Sequence, residues 1–273
     1  MLAAMIAGEA AHKWRLFEVG CGGEASFGRA HIPGAAYLDT CQVEQAPLWN
    51  KVSDEALLAL LLAHGVRHDT TVILYGRNNL AAARLAHLLL YAGVSDVRLL
   101  DGGFALWQAG GHPCEAGPGR THASARDFGA AFPVHPEYMT DMAQVRALLA
   151  RGDDTLVSIR TEAEFTGKVS GYSYISAAGD IPGARWGQAG ADGDVNSMST
   201  YHLADGSMKP AADILRQWAS SSITGDGRTV FYCGTGWRAS MAFFYAWLMG
   251  WTDISVYDGG WCEWSRTSDP ISR

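Results

Sequence analysis

Six consecutive residues, Cys233-Gly234-Thr235-Gly236-Trp237-Arg238, bring together a nucleophile, two glycines and a cation. They follow an apolar run, Val230-Phe231-Tyr232, that reads as a strand, and precede an apolar run, Ala239 to Met249, that reads as a helix. A cysteine leaving a strand for a short loop before a helix sits where backbone N–H groups converge, and the helix adds the positive end of its dipole. Both effects favour thiolate over thiol, so Cys233 is expected to be a nucleophile. Gly234 and Gly236 let the backbone curl without Cβ clashes. The N–H groups from Gly234 to Arg238 are expected to surround a sulfur anion as an oxyanion hole surrounds oxygen. Thr235 offers a hydroxyl hydrogen bond, Trp237 a wall for the pocket mouth, and Arg238 a planar fork for a sulfonate or carboxylate. The alternative for Arg238 is a structural arginine bonded to loop carbonyls.

The rest of the composition narrows the chemistry. A chain of 273 residues fits two domains of ordinary size, and 48% apolar with 18% charged residues is the balance of a soluble globular protein. A net charge of -7 argues against a nucleic-acid binder, which needs a basic face. The five cysteines, Cys21, Cys41, Cys114, Cys233 and Cys262, are odd in number and contain no C-x-x-C pair. The nine histidines include no H-E-x-x-H. Neither a disulfide framework nor a metal site is expected, and no cofactor is implied. The stretch MLAAMIAGEAAHKWR is short, contains Glu9 and lacks a basic start, so it does not read as a signal peptide. No run is long and apolar enough to span a bilayer. The expected setting is a reducing cytoplasm, which suits a free reactive thiol.

The chain also contains itself twice. The segment from Val72 to Trp107 can be laid without gaps on the segment from Thr229 to Trp264, at an offset of 157 (229 minus 72). Tyr75 then meets Tyr232, and Asp101-Gly102-Gly103 meets Asp258-Gly259-Gly260. Ile32-Pro33-Gly34-Ala35 matches Ile181-Pro182-Gly183-Ala184 at an offset of 149, and Gly20 meets Arg160 at 140. The growing offset implies two insertions in the second half. A period of this size is a duplicated domain rather than a solenoid. The expected division is residues 1–116, a linker at 117–136 rich in Gly, Pro and small residues, and residues 137–273.

The elements that position the loop follow from the periodicity. Strands are predicted at 16–19, 72–75 and 97–100, and again at 155–159, 229–232 and 254–257. Helices are predicted at 54–64, with Ser53 as N-cap, at 81–91, and at 139–150, 211–219 and 239–249. Such alternation favours an α/β fold, each domain a mainly parallel sheet flanked by helices. Ligands in such folds bind at the carboxyl ends of strands, where Cys233 is placed. Under the repeat, Gly76 stands for Cys233, Ala81 for Arg238 and Gly20 for Arg160, so the first half is read as non-catalytic.

With the I-P-G-A segment and the D-G-G-x-x-x-W motif in both halves, the Y-C-G-T-G-W-R-A-S loop, and the G-Y-S-Y-I…G-D-I-P-G-A insertion, the chain resembles the tandem-domain rhodanese family of sulfurtransferases. The resemblance covers nearly the whole chain. It implies two rhodanese-like domains, one active site in the second, and transfer of sulfane sulfur through a persulfide on Cys233. It also assigns substrate binding to Arg160, at a strand end where the family places such an arginine. Ser158 departs from the pattern, since an Asp is common there. The implied partners are a small-molecule donor and a cyanide or thiol acceptor, with a protein acceptor as a further alternative, no nucleic acid, no membrane, and a monomeric state. Gly234 and Thr235 look like the loop of 3-mercaptopyruvate enzymes, but Trp237-Arg238 restores a positive charge and turns the expectation to thiosulfate. Two rivals stand beside this reading. A phosphatase would use Cys-x5-Arg, one residue longer than the Cys-x4-Arg here, and a non-enzymatic carrier would hold the persulfide for a protein partner.

Overall fold

The computed structural model describes residues 2–8, 14–152 and 154–272; residues 1 and 9–13 of the stretch read for a leader lie outside the described residues. The chain clusters into two units, Met1–Gln45 with Lys51–Pro136 and Asp205–Ser207, and Ala46–Asn50 with Glu137–Ala204 and Met208–Arg273. The first contains α1 (Leu2–Ala7), β1 (Trp14–Gly20), α2 (Glu24–Arg29), β2 (Ala36–Asp39), α3 (Asp54–Ala63), β3 (Thr71–Tyr75), α4 (Asn79–Ala92), β4 (Asp96–Leu99) and α5 (Gly103–Ala109). Its sheet has the order β2-β1-β3-β4, with every pairing parallel. A parallel sheet needs cover on both faces, and α4, buried from Leu80 to Ala92, covers one of them. Ser53 caps α3 as predicted, its hydroxyl accepting the Ala56 N–H at 3.2 Å.

The second unit contains β5 (Met139–Thr140), α6 (Met142–Arg151), β6 (Thr155–Ser158), α7 (Glu162–Phe165), β7 (Arg185–Trp186), α8 (Ala211–Ser220), β8 (Thr229–Tyr232), α9 (Trp237–Leu248), β9 (Ile254–Tyr257) and α10 (Gly260–Trp264). The sheet order is β5-β9-β8-β6-β7, again parallel throughout. Its core gathers Val145, Leu156, Val230, Tyr232, Tyr257 and Trp261, all buried. Each such large apolar side chain contributes roughly 1.5–3 kcal/mol relative to exposure. The strand that delivers Cys233 therefore lies inside the sheet, between β9 and β6, where its carboxyl end is fixed on both sides.

Two sequence expectations are adjusted, and two strands are added. The helix predicted from Met139 begins at Met142, because Met139 and Thr140 pair with Val256 and Tyr257. Asp141 and Gln144 then close a capping box, each side chain on the other's backbone N–H at 2.8 Å. The strands β2 and β7, which follow the two I-P-G-A segments, are additions to the predicted set: β7 has only two residues, while β2 alternates buried and half-buried over four, Ala36 to Asp39. Residues 117–136, read as a linker, are bonded onto the first unit. The Arg120 N–H donates to Ala35 O and the Ala125 N–H to Leu62 O, both at 2.8 Å, and Phe128 is buried. Absence of period marks absence of regular structure, but the backbone polar groups still need partners.

The gapless repeat holds in three dimensions. In the first unit the Phe104 N–H donates to Gly76 O at 3.1 Å; in the second the Trp261 N–H donates to Cys233 O at 2.8 Å. Donors and acceptors are both 157 positions apart (261 minus 104, 233 minus 76). The loop after β3 and the loop after β8 are the same scaffold.

Candidate active site

Strand β8 ends at Tyr232, and the next residue, Cys233, is 2% exposed at the sheet's carboxyl edge. The loop turns back so that the Gly236 N–H donates to Cys233 Sγ at 3.2 Å. Gly236 has φ +104, in the left-handed region that disfavours a side chain, and serves as N-cap of α9. An N–H aimed at sulfur and the start of a 12-residue helix therefore meet at the same atom.

The expectation that all loop N–H groups encircle the sulfur is corrected at Gly234. Its N–H donates instead to Tyr172 Oη at 3.0 Å. A Cβ at Gly234 would lie 2.1 Å from Tyr172 Cζ, so this glycine exists for the close approach of the tyrosine ring. Thr235 lies in the loop and is buried, while Trp237 opens α9 and is half-buried.

Arg238 and Arg160 stand apart from their sequence readings as donor-binding forks. Arg238 is fully buried and forms a bidentate pair with Glu164, Nη1 to Oε2 at 2.8 Å and Nη2 to Oε1 at 2.9 Å. Its Nη2 also donates to Tyr172 Oη. The planar fork that suits a sulfonate is filled by a carboxylate of the same chain. This is the structural alternative for Arg238, realised through a side chain rather than through loop carbonyls. Arg160 is equally buried. Its Nη1 donates to Gly179 O at 2.6 Å and to Asp180 Oδ2 at 3.2 Å, and its Nη2 to Ser170 O at 3.1 Å. Its Nε lies 3.6 Å from Glu164 Oε1, and its guanidinium stacks 4.9 Å from the Trp261 ring.

Ser158, the departure from the pattern, is bonded to a buried carboxylate from elsewhere in the unit, Asp180. Ser158 Oγ donates to Asp180 Oδ2 at 2.8 Å, and Tyr232 Oη donates to Asp180 Oδ1. Burial pushes the Asp180 carboxyl up, opposed by Arg160 and the donated hydrogen bonds. Burial also works against Glu164, but there the hydrogen bonds and charge of Arg238, with Arg160 behind it, win and hold the carboxyl below its ordinary value. Burial pushes the Tyr172 phenol up, so it is a neutral hydrogen-bonding group at the pH of the cell.

Three residues given no role by the sequence reading thus hold the loop and its strand: Glu164, Tyr172 and Asp180, the last two standing inside the G-Y-S-Y-I…G-D-I-P-G-A insertion. Glu164 carried one signal, the T-x-x-E capping box of Thr161, and it does cap α7, accepting the Thr161 N–H at 2.9 Å. That pattern speaks of a helix start and says nothing of Arg238, 74 positions on.

The twin loop shows what the scaffold does without the thiol. Asn79, which aligns with Gly236, turns its side-chain oxygen onto the Gly76 N–H at 3.0 Å. Arg77 places its guanidinium 4.3 Å from the Phe104 ring and pairs with Glu18 at 2.9 Å. A guanidinium over the aromatic ring survives in both units, supplied from a different position, while the nucleophile is gone.

Two parallel α/β units, with a cysteine loop between strand and helix in only one, define a tandem rhodanese-like protein. The rhodanese-like domain family matches residues 3–110 and again 141–267, and the chain belongs to that family. It is 54% identical over 257 residues to the thiosulfate sulfurtransferase YnjE of Escherichia coli K12, covering 94% of this chain and 58% of the relative. The crystal structure of YnjE superposes with a TM-score of 0.92 at 52% identity over 97% of this chain and 64% of that one. This chain therefore spans less than two thirds of the length of YnjE. The sulfur carrier protein TtuD of Thermus thermophilus is 31% identical, over 89% of this chain and 85% of its own. A variant of EanB, solved with a cysteine persulfide in a tetrahedral intermediate state with ergothioneine, superposes with a TM-score of 0.94 at 34% identity, over 99% of this chain and 68% of that one. Among the described residues no helix is long and apolar enough to cross a membrane.

Proposed function

We propose that the chain is a sulfurtransferase that moves sulfane sulfur from thiosulfate to cyanide or a thiol through a persulfide on Cys233. The observation that carries this reading is the single loop with Cys233 Sγ facing the Gly236 N–H at the start of α9, set against a twin loop with glycine at the same place. As thiolate, Cys233 attacks the outer sulfur of thiosulfate. The S–S bond of the donor breaks and sulfite leaves with the electron pair. Cyanide then attacks the terminal sulfur of the persulfide, thiocyanate departs, and the thiolate returns. The Gly236 N–H and the α9 dipole stabilise the sulfur anion in both half-reactions. Arg238 and Arg160 are positioning residues in this reading: through Glu164, Tyr172 and Asp180 they fix the loop that presents the sulfur. Trp237 and Thr235 face the donor.

The direct test is thiocyanate formation from thiosulfate and cyanide, run beside 3-mercaptopyruvate as donor. A higher kcat/KM for thiosulfate is expected. The reverse order would reassign the donor while keeping the site. The name of TtuD favours one second reading, a carrier that holds the persulfide for a protein; a steady-state rate no better than that of Cys233→Ala would select it. The Cys-x4-Arg loop speaks against a phosphatase, because it is one residue shorter than the Cys-x5-Arg cradle.

Gly234→Ala is expected to lower kcat for sulfur transfer about 100-fold, the scale on which misplacement by about 1 Å acts. The added methyl meets Tyr172 head-on and must displace it from both the loop and Arg238. Kinetics checked against an unchanged circular dichroism spectrum would read this; wild-type turnover would show that the Tyr172 contact is dispensable.

A further inference from the structure

Two thiols of the first unit lie together at a place the proposed sulfur chemistry does not use. The register of the sheet brings Gly20 opposite Asp39, so β1 and β2 end side by side. Cys21 is the next residue after β1, and Cys41 follows Asp39 by two. The Cys21 and Cys41 sulfurs and a carboxylate oxygen of Asp39 all lie within 4.8 Å of one another. Both thiols are exposed and Asp39 is half-buried. The two cysteines are 20 positions apart (41 minus 21), which is why a search for C-x-x-C spacing passes over them.

The carboxylate is held in place. Asp39 Oδ1 accepts the Cys41 N–H at 3.0 Å, while Oδ2 accepts the Gly22 N–H at 2.7 Å and the Tyr37 O–H at 3.2 Å. Tyr37 is itself fixed, accepting the Gly23 N–H at 2.8 Å. Asp39 also closes a capping box with Gln42 around the 3-10 turn that carries Cys41. A ligand carboxylate oriented by outer hydrogen bonds is the arrangement found around bound metal ions.

We propose that Cys21, Cys41 and Asp39 form a binding site for a thiophilic divalent cation of the zinc class, with a water in the fourth tetrahedral position. The donor set, two sulfurs and one oxygen, suits a d10 ion that accepts Cys and carboxylate ligands together. Two sulfurs at about 2.3 Å from one tetrahedral ion lie about 3.8 Å apart, so closing from the observed limit needs about 1 Å of motion in exposed side chains. Binding is balanced by proton release: the cation and two S–H groups give two metal–sulfur bonds and two protons, the carboxylate binding without a proton change.

The test is a Cd2+ titration of the full chain in the presence of a phosphine reductant, followed by the sulfur-to-cadmium charge-transfer band and by proton release. One equivalent is expected to bind with two protons released. Cys21→Ser and Cys41→Ser should each weaken that step by more than the roughly 10–100-fold typical of losing an outer partner, and Tyr37→Phe by about 10-fold. Cys114→Ser, which removes another exposed thiol of the same unit, should leave it intact. A wild-type chain with no such step, or a step that survives in the Cys21→Ser, Cys41→Ser double variant, would overturn the proposal. So would a reductant-resistant loss of two hydrogens in mass, which would mark the pair as a disulfide.

Discussion

Cys233→Ala is expected to reduce thiocyanate formation from thiosulfate by roughly 10^4-fold or more, the scale on which loss of a covalent nucleophile acts. Cys233 alone stands at the carboxyl end of the sheet's inner strand with a backbone N–H, that of Gly236, directed at its sulfur. Cys21, Cys41 and Cys114 are exposed on the other unit. Cys262 is buried, and burial raises its thiol pKa, so it is a poorer nucleophile at neutral pH. None has the loop, so none should rescue the variant. Mass spectrometry of the wild-type chain after thiosulfate should show a gain of about 32 Da, one sulfur, confined to Cys233. Sulfur on another cysteine, or a Cys233→Ala rate within tenfold of wild type, would remove Cys233 from the mechanism.

Glu164→Gln is expected to destabilise the second unit by about 3–5 kcal/mol, the cost of leaving buried charge without its partner. Glu164 is almost fully buried and serves two guanidiniums, Arg238 through two hydrogen bonds and Arg160 at 3.6 Å. The amide removes the charge that both arginines face. Denaturant melts of wild type and variant read the difference; a change under about 1 kcal/mol would mean that the two arginines find other compensation. The pH dependence gives a second reading. The folded Glu164 carboxyl lies below its ordinary value of 4.5, so its contribution is complete above that pH and is lost as pH falls through the depressed value. The variant should therefore lose less stability than wild type on acidification below about 4.5. Asp180 has the opposite sign: its raised value costs stability as pH climbs through it, and the substitution leaves that part unchanged.

How much of this was legible beforehand depends on the range of the interactions. The strand, loop and helix around Cys233 were readable because a short apolar run, a glycine pair and an apolar helical run are local patterns. The duplication was readable because its 157-residue offset needs no gap, and the shared backbone bonds at Gly76 and Cys233 confirm that alignment. The roles of the two arginines were not readable. Arg238 is followed by nothing acidic nearby and looks free in a sequence, yet Glu164 lies 74 positions before it; Arg160 has Glu164 four positions on, but Asp180 comes from 20 positions beyond it. The same blindness hid Tyr172 beneath Gly234, where a glycine chosen for a ring looks like a glycine chosen for a turn.

The sequence by itself determined the family, the α/β architecture in two copies, and which copy carries the cysteine loop, because each is written in short-range pattern and in order along the chain. Only the tertiary structure decided where the charges go. It turned both arginines inward onto Glu164 and Asp180, gave the Gly234 N–H to a tyrosine, and left the Gly236 N–H for the sulfur. The physical reason is that a buried charge must find a countercharge wherever folding brings one within reach, and that pairing has no period to read.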